Sequence, residues 1–174
     1  MQYLITLDIP EETKAFVLGL REKYSLKQER VLEPHITMVP PFKVDYAEEI
    51  LIEKISQIKF NAFKAVISGL DFWSRKRGII ILKVVPSNML TQLYLRFRNL
   101  LEDDNARRGY GPGQLFRSEF VPHVMIDKRM PIKKFLAVKQ QMEKIEYEVS
   151  WKVKGFDLYS CEDDGMWEKV GSFS

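Results

Sequence analysis

The sequence contains only two histidines, His35 and His123. Imidazole gains and loses a proton near neutral pH, so two of them acting on one ligand could serve as a general base and a general acid. Their contexts are alike, because each histidine follows a proline and opens an apolar stretch (34–38 and 122–126). The pair therefore predicts in-line displacement at a phosphorus centre, which needs two proton transfers and no metal ion.

The side chains beside the histidines extend this prediction. Alternation along a strand puts His35 and Thr37 on one face of the first segment. In the second segment it puts His123 beside Met125. The Thr37 hydroxyl could then donate a hydrogen bond to a non-bridging phosphate oxygen and stabilise the charge that grows in the transition state.

Length and composition limit the class of protein. Of the 174 residues, 45% are hydrophobic and 12% aromatic, which is enough for one core or for two small lobes that share an interface. Charged residues make up 29% and nearly balance, with a net charge of +3. This balance argues against a disordered chain and against a protein that coats a long polyanion. The small positive excess favours an anionic ligand in a local cleft.

Cysteine content and the N-terminal segment predict a cellular setting. The single cysteine, Cys161, excludes an intramolecular disulfide framework and, with two histidines, leaves few ligands for a structural zinc site. The N-terminal segment lacks the basic region and long apolar stretch of a signal peptide, and no apolar run approaches the roughly 18 residues of a membrane span. We therefore predict a cytoplasmic protein that needs neither a metal nor a membrane.

Hydrophobic periodicity and turn residues predict two similar halves. Each half reads as a strand, a helix, a histidine-bearing strand, a helix and one or more further strands, with 105–118 as a glycine-bearing loop and Pro40-Pro41 closing the second strand. The predicted strands cover 2–9, 34–39, 60–72, 77–85, 119–126, 146–160 and 166–173, and the predicted helices cover 10–24, 46–58, 87–104 and 131–145. The fold class is α+β, a single domain of two pseudo-equivalent lobes whose sheets face each other across a cleft.

The two histidine segments resemble the doubled His-x-Thr motif of the 2H phosphoesterase superfamily, which includes bacterial 2′-5′ RNA ligase-like proteins and RNA 2′,3′-cyclic phosphodiesterases. The likeness extends over nearly the whole chain and includes Pro40 to Phe42, the approach 120–123 and the closing hairpin 158–167. It implies a bilobal fold over residues 1–174, with antiparallel sheets flanking a central cleft, helices on the outside and strands interleaved between the lobes. It also implies metal-free hydrolysis or transfer at 2′,5′-linked or 2′,3′-cyclic phosphates, with both histidines catalytic.

One position departs from the family's pattern. Met125 stands where the family usually has Thr or Ser, so one hydroxyl donor to the phosphate is absent. Loss of such a donor typically costs about 10²- to 10³-fold in rate. Lys128, five residues after His123, occupies a place where many relatives carry a basic residue and could compensate in part.

The loop before the second histidine segment is a further candidate for substrate contact. It combines Arg107, Arg108 and Tyr110 with several glycines, a composition that suits a nucleotide phosphate or a stacked base. A solvated connector between two elements would have the same composition.

Three classes of function follow from these residues. The first is a metal-independent phosphodiesterase acting on a nucleotide or RNA end. The second is a nucleotide or RNA-end binding protein that keeps the phosphate cleft with attenuated turnover, consistent with Met125. The third is an interaction module that retains only the fold.

Overall fold

The computed structural model describes residues 1–26, 32–74, 76–109, 114–116, 119–162 and 165–174. Within them lie four helices: α1 Glu11–Lys23, α2 Glu48–Ser56, α3 Asn88–Asp103 and α4 Ile132–Met142. The strands are β1 Gln2–Leu7, β2 Ile36–Lys43, β3 Phe63–Ser74, β4 Gly78–Val84, β5 Arg107–Arg108, β6 His123–Met130, β7 Glu148–Val153, β8 Phe156–Cys161 and β9 Trp167–Phe173. No described helix is both long enough and apolar enough to span a bilayer.

One antiparallel sheet joins all the strands, in the order β7-β3-β4-β6-β2-β1-β8-β9, with β5 paired to β2 beside this path. The predicted α+β class is confirmed. The two halves of the sheet meet between β6 and β2, the strands that follow or contain the histidines. The halves are interleaved along the chain, because β4 lies beside β6 and β3 beside β4, whereas β8 returns to lie beside β1 and β9 lies beside β8.

The core lies on the face of the sheet that carries Ile36 and Val124, which are both fully buried. Buried side chains from all four helices join the same cluster, among them Val17, Leu51, Phe97 and Val138. Since strand side chains alternate between faces, the histidines that precede Ile36 and Val124 lie on the opposite face from this core.

The prediction that Pro40-Pro41 closes the second strand is wrong. β2 continues to Lys43, and its pairing with β1 changes register between Val39 opposite Ile5 and Phe42 opposite Tyr3. β2 therefore has one more residue than β1 across this interval, which is a β-bulge at the prolines. A bulge tolerates proline because the missing N–H would have no ladder partner there.

Other differences concern the ends of elements. Residues 107–108 of the predicted loop form β5, because they pair with the extended end of β2. β6 begins at His123 and not at 119, and the predicted strand 146–160 divides into β7 and β8. The predicted helix start at Ser87 is confirmed, since its hydroxyl accepts a hydrogen bond from the Leu90 N–H at 3.2 Å.

Candidate active site

The pairing of Ile36 with Val124 sets the position of the two histidines. These two residues lie directly opposite each other where β2 and β6 run antiparallel. Each follows a histidine in the sequence, so His35 and His123 extend from the same face of the sheet on either side of the pair. Residues that are far apart in the chain thus lie diagonally across one strand pair.

One small pocket, about 110 Å³ in volume, contains both histidines. Thr37, Met125 and Lys128 also line it, so the structure brings together all five residues that the sequence assigned to the phosphate site. The remaining lining residues are Arg21, Leu32, Glu33 and Pro34. His35, Thr37, His123 and Met125 are half-buried, and Lys128 is exposed.

The two imidazoles are held in the same way. The Nδ1 atom of His35 lies 2.7 Å from the carbonyl oxygen of Glu33. The Nδ1 atom of His123 lies 2.8 Å from the carbonyl oxygen of Val121. A carbonyl oxygen only accepts, so Nδ1 carries the hydrogen in both rings and Nε2 is the nitrogen that can exchange a proton with a ligand.

The surroundings of the two rings differ beyond this bond. His35 Nε2 lies 3.2 Å from the Thr37 hydroxyl oxygen. The His123 ring instead packs edge-on against Trp73, with ring centroids 5.3 Å apart, and the Trp73 indole N–H donates to Asp71 at 2.8 Å. The two histidines are therefore distinguishable, because a hydroxyl neighbours one ring and an indole neighbours the other.

A buried ammonium group supports the segment that carries His35. Lys14 is 8% exposed, and its Nζ lies 2.9 Å from Asp8, 2.7 Å from Glu11 and 3.1 Å from Glu33. Burial works to lower the pKa of Lys14, but its hydrogen bonds to the three carboxylates outweigh burial and raise the pKa above its usual value. Lys14 therefore stays charged and ties Glu33, the residue whose carbonyl holds His35, to α1 and to the end of β1.

The pocket carries positive charge. Arg21 and Lys128 are cationic, whereas the carboxylate of Glu33 is bound to Lys14. An anion the size of phosphate fits this balance. Across the described ranges, the side chains of His, Cys, Asp and Glu form no group of three or more that could hold a metal ion.

Sequence reasoning missed Arg21. This residue of α1 is 5% exposed, and its guanidinium donates from Nε to the Ile126 carbonyl and from Nη2 to the Met125 carbonyl, each at 3.0 Å. One signal was present in the sequence. Arg21 follows Val17 and Leu20 on the buried stripe of the helix, where an arginine needs a polar partner inside the protein.

The arginines of the predicted substrate loop lie elsewhere. Arg108 and Arg107 pair with Phe42 and Lys43, about 20 Å along β2 from Ile36 at the usual rise per residue. Arg107 also forms an ion pair with Asp45. Neither arginine lines the histidine pocket, and Tyr110 lies outside the described residues.

A larger hollow of about 610 Å³ lies where β7, β8 and β9 approach the end of β1. Its lining includes Asp8, Trp151 and Lys169 and neither histidine. We assign the candidate active site to the smaller pocket because both histidines line it, whereas the larger hollow contains neither.

Residues 9–165 match the sequence profile of the 2′-5′ RNA ligase superfamily. No curated protein sequence matches the chain. Among solved structures, the fold is similar to that of Escherichia coli LigT in complex with 3′-AMP, with a TM-score of 0.67, 17% identity and coverage of 98% of this chain and 95% of that one. It is also similar to TT0787 of Thermus thermophilus, with a TM-score of 0.63, 18% identity and coverage of 100% and 97%. A third, a crystal structure of a phosphoesterase, has a TM-score of 0.65, 17% identity and coverage of 98% and 96%.

Proposed function

This chain belongs to the 2′-5′ RNA ligase superfamily of 2H phosphoesterases, and we propose that it cleaves or forms a phosphodiester at a nucleotide or RNA end by acid-base action of His35 and His123 without a metal ion. The observation that supports this most directly is that both imidazoles line one pocket, each with Nδ1 bound to a backbone carbonyl. In this arrangement Nε2 is the nitrogen of each ring that would transfer a proton to or from one bound phosphate.

The proposed reaction is an in-line displacement. One histidine takes a proton from water through Nε2 while the water oxygen attacks phosphorus, and the other histidine gives a proton to the ribose oxygen as its bond to phosphorus breaks. A 2′,3′-cyclic phosphate would give a phosphomonoester and one free ribose hydroxyl. The Thr37 hydroxyl, which lies 3.2 Å from His35 Nε2, would turn from that nitrogen to donate to a non-bridging oxygen, and Lys128 adds positive charge at the rim.

The size of the pocket limits what it holds. A volume of about 110 Å³ accommodates a phosphate group, whereas sites that enclose whole ligands usually measure about 300 to 1,000 Å³. The base and the rest of any RNA chain must therefore extend beyond it. Arg107, Arg108 and Tyr110 remain proposed contacts for a substrate longer than one nucleotide.

The proposal extends to domain organisation and setting. We propose a single domain over residues 1–174 with two lobes, one built on β6, β4, β3 and β7 and the other on β2, β1, β8 and β9. The order of strands in the sheet supports this division. We also propose a cytoplasmic location, which the single cysteine supports because disulfide-stabilised proteins concentrate in oxidising compartments.

A second candidate function is binding of a nucleotide or RNA end without effective turnover. The observation that favours it is Met125, which lines the pocket at the place of the missing hydroxyl. In that case the pocket would bind phosphate but stabilise the transition state poorly.

The test is a turnover screen of the purified protein with 2′,3′-cyclic nucleotides and 2′,5′-linked oligonucleotides, each with excess EDTA. The wild type should turn over at least one class, and His35→Ala and His123→Ala should each lose about 10²-fold or more. Gln141→Ala, at an exposed position of α4, is the control and should match the wild type.

Two outcomes would count against the proposed mechanism. Wild-type activity in either histidine variant would eliminate the acid-base mechanism, and loss of activity in EDTA would eliminate metal independence. Tight binding of 3′-AMP by titration with no turnover of any substrate would instead establish the binding function.

A further inference from the structure

The two sides of the phosphate pocket differ chemically. On the β2 side Thr37 offers a hydroxyl, whereas the residue in the corresponding place on β6 is Met125. A thioether donates no hydrogen bond and accepts only weakly. Besides the histidines, the cations that line the pocket are Lys128 of β6, which is exposed, and Arg21 of α1, which is buried.

Arg21 is fixed against the backbone at this point. Ile81 lies opposite Met125, but the next residue of β4 towards its start, Ile80, lies opposite Asp127, so β6 contains a bulge at Ile126. A bulge interrupts the ladder of hydrogen bonds between strands. The Arg21 guanidinium binds the carbonyls of Met125 and Ile126, at the interruption itself.

Arg21 is a buried charge that also lines the pocket. A guanidinium stays protonated at every working pH, and a buried charge is screened much less than an exposed one. Lys128, the other cation of the lining, is exposed, whereas Arg21 is 5% exposed and still lines the pocket. Arg21 is thus the buried cation of the pocket among the lining residues that the structure describes.

We infer that Arg21 is a phosphate-binding residue whose charge, held at the bulge of β6 by the carbonyls of Met125 and Ile126, takes the place of the hydroxyl that position 125 lacks. The inference rests on the proposed function, since it assigns a residue to the same phosphate. With Arg21 in this role, the pocket would bind an anion although position 125 offers no hydroxyl donor.

A purely structural role for Arg21 makes different predictions. If Arg21 only completes the hydrogen bonds of the bulge, replacing it should lower stability, and a hydroxyl at position 125 should not restore phosphate affinity. If its charge holds the phosphate, a new hydroxyl should restore part of what was lost. The two roles therefore separate in a double-mutant cycle.

The experiment measures inorganic phosphate affinity by titration, together with turnover, in wild type, Arg21→Gln, Met125→Thr and the double variant. Arg21→Gln should weaken phosphate binding by about 10- to 100-fold. Met125→Thr should improve affinity by a larger factor in the Arg21→Gln background than in wild type. Equal factors in both backgrounds, or unchanged affinity in Arg21→Gln, would overturn the inference.

Two further measurements apply if Arg21→Gln fails to fold. Arg21→Lys keeps the charge and should retain phosphate affinity within a few-fold; loss as large as that predicted for glutamine would contradict the inference. In the wild type, the Arg21 Nε–H resonance should shift on addition of inorganic phosphate, and an unmoved resonance at saturation would also contradict it.

The outcomes distinguish this inference from the proposed function. An active wild type with phosphate affinity unaffected by Arg21→Gln would refute the role of Arg21 and leave the enzyme standing. A wild type that binds phosphate through Arg21 but turns over no substrate would support the inference and refute the enzyme.

Discussion

Ile36 and Val124 lie opposite each other as an antiparallel pair at the centre of the sheet. Exchanging the two strands about this pair would place His35 where His123 lies and Thr37 where Met125 lies. The resemblance between the two histidine segments in the sequence therefore corresponds to a local two-fold relation in the structure, and the residues it relates, His35 with His123 and Thr37 with Met125, line one pocket.

The pH dependence of kcat/KM should be bell-shaped, with a maximum between about pH 5 and 8. One imidazole must be neutral to accept a proton while the other must be protonated to donate one, and an imidazole ordinarily changes its protonation state in this range. Rates should be measured over the whole range, with circular dichroism at each pH to separate titration from unfolding. A flat rate across this interval would rule out a two-histidine mechanism.

Met125→Thr should raise turnover by up to about 10²-fold, because it adds a hydroxyl donor to the charge that develops on phosphate. Met125→Leu is the matched control, since it keeps an apolar side chain at a half-buried position and should behave like the wild type. Single-turnover rates with a 2′,3′-cyclic nucleotide would compare the three proteins. A threonine variant no faster than the leucine variant would show that the missing hydroxyl does not limit the site.

Lys14→Gln should lower kcat by about tenfold or more with a smaller change in KM. Lys14 ties Glu33, whose carbonyl orients His35, and small displacements of a catalytic group have large effects on rate. Glu11→Gln is the control, because it removes one carboxylate from Lys14 while the bonds to Asp8 and Glu33 remain. Similar losses of kcat in both variants would indicate a general effect on α1. Urea unfolding would show whether each protein is folded under the assay conditions.

Asp104→Ala should lower the free energy of unfolding near neutral pH by about 1.5 to 3 kcal/mol, the usual range for hydrogen bonds to a charged group. Its carboxylate accepts hydrogen bonds from Tyr46 and Lys54, both at 2.6 Å. Burial acts to raise the pKa of Asp104, but these hydrogen bonds outweigh it and lower the pKa.

Because the pKa of Asp104 is lower in the folded state than in the unfolded chain, where it is about 3.9, its ionised form stabilises the fold at pH values above about 3.9. This stabilisation is lost as the pH falls from about 3.9 through the pKa of the folded state. The difference between wild type and Asp104→Ala should therefore shrink below about pH 4 in urea titrations. Asp103→Ala, at the exposed neighbouring position, should change stability by less than about 0.5 kcal/mol at any pH. A difference for Asp104→Ala that grows in acid would have the wrong sign for this network.

Gly78→Ala should destabilise the protein by about 1 to 3 kcal/mol, the usual cost of overpacking. A Cβ atom at Gly78 would lie 2.2 Å from ring carbons of Phe135, so the start of β4 or helix α4 would have to move. At Gly19, in α1, a Cβ would meet nothing within 4 Å. Gly19→Ala should therefore stabilise the protein by about 0.4 to 1 kcal/mol, and thermal unfolding of both variants would reveal the opposite signs.

The sequence was sufficient to predict most of the elements and five of the nine residues that line the pocket. The 3.6-residue periodicity of the helices and the Ser87 cap depend on neighbours within one turn, so they can be read from the sequence. Alternation along a strand likewise placed His35 beside Thr37 without knowledge of the fold. The prediction that Pro40-Pro41 ends the strand was wrong, because two prolines usually end a strand but can also lie in a β-bulge. The bulge is visible only in the pairing of β2 with β1.

The sequence by itself determined that two imidazoles occupy equivalent places in two similar segments, with one hydroxyl in the first segment and one basic side chain after the second. Only the tertiary structure decided that Ile36 pairs with Val124, that Lys14 holds the segment carrying His35, and that Arg21 reaches the bulge of β6. These contacts join residues far apart in the chain, and their register depends on how whole strands and helices pack. The hydrophobic pattern of a single segment does not specify its partner strand or its register. These are fixed when the apolar faces of several strands and helices are buried against each other.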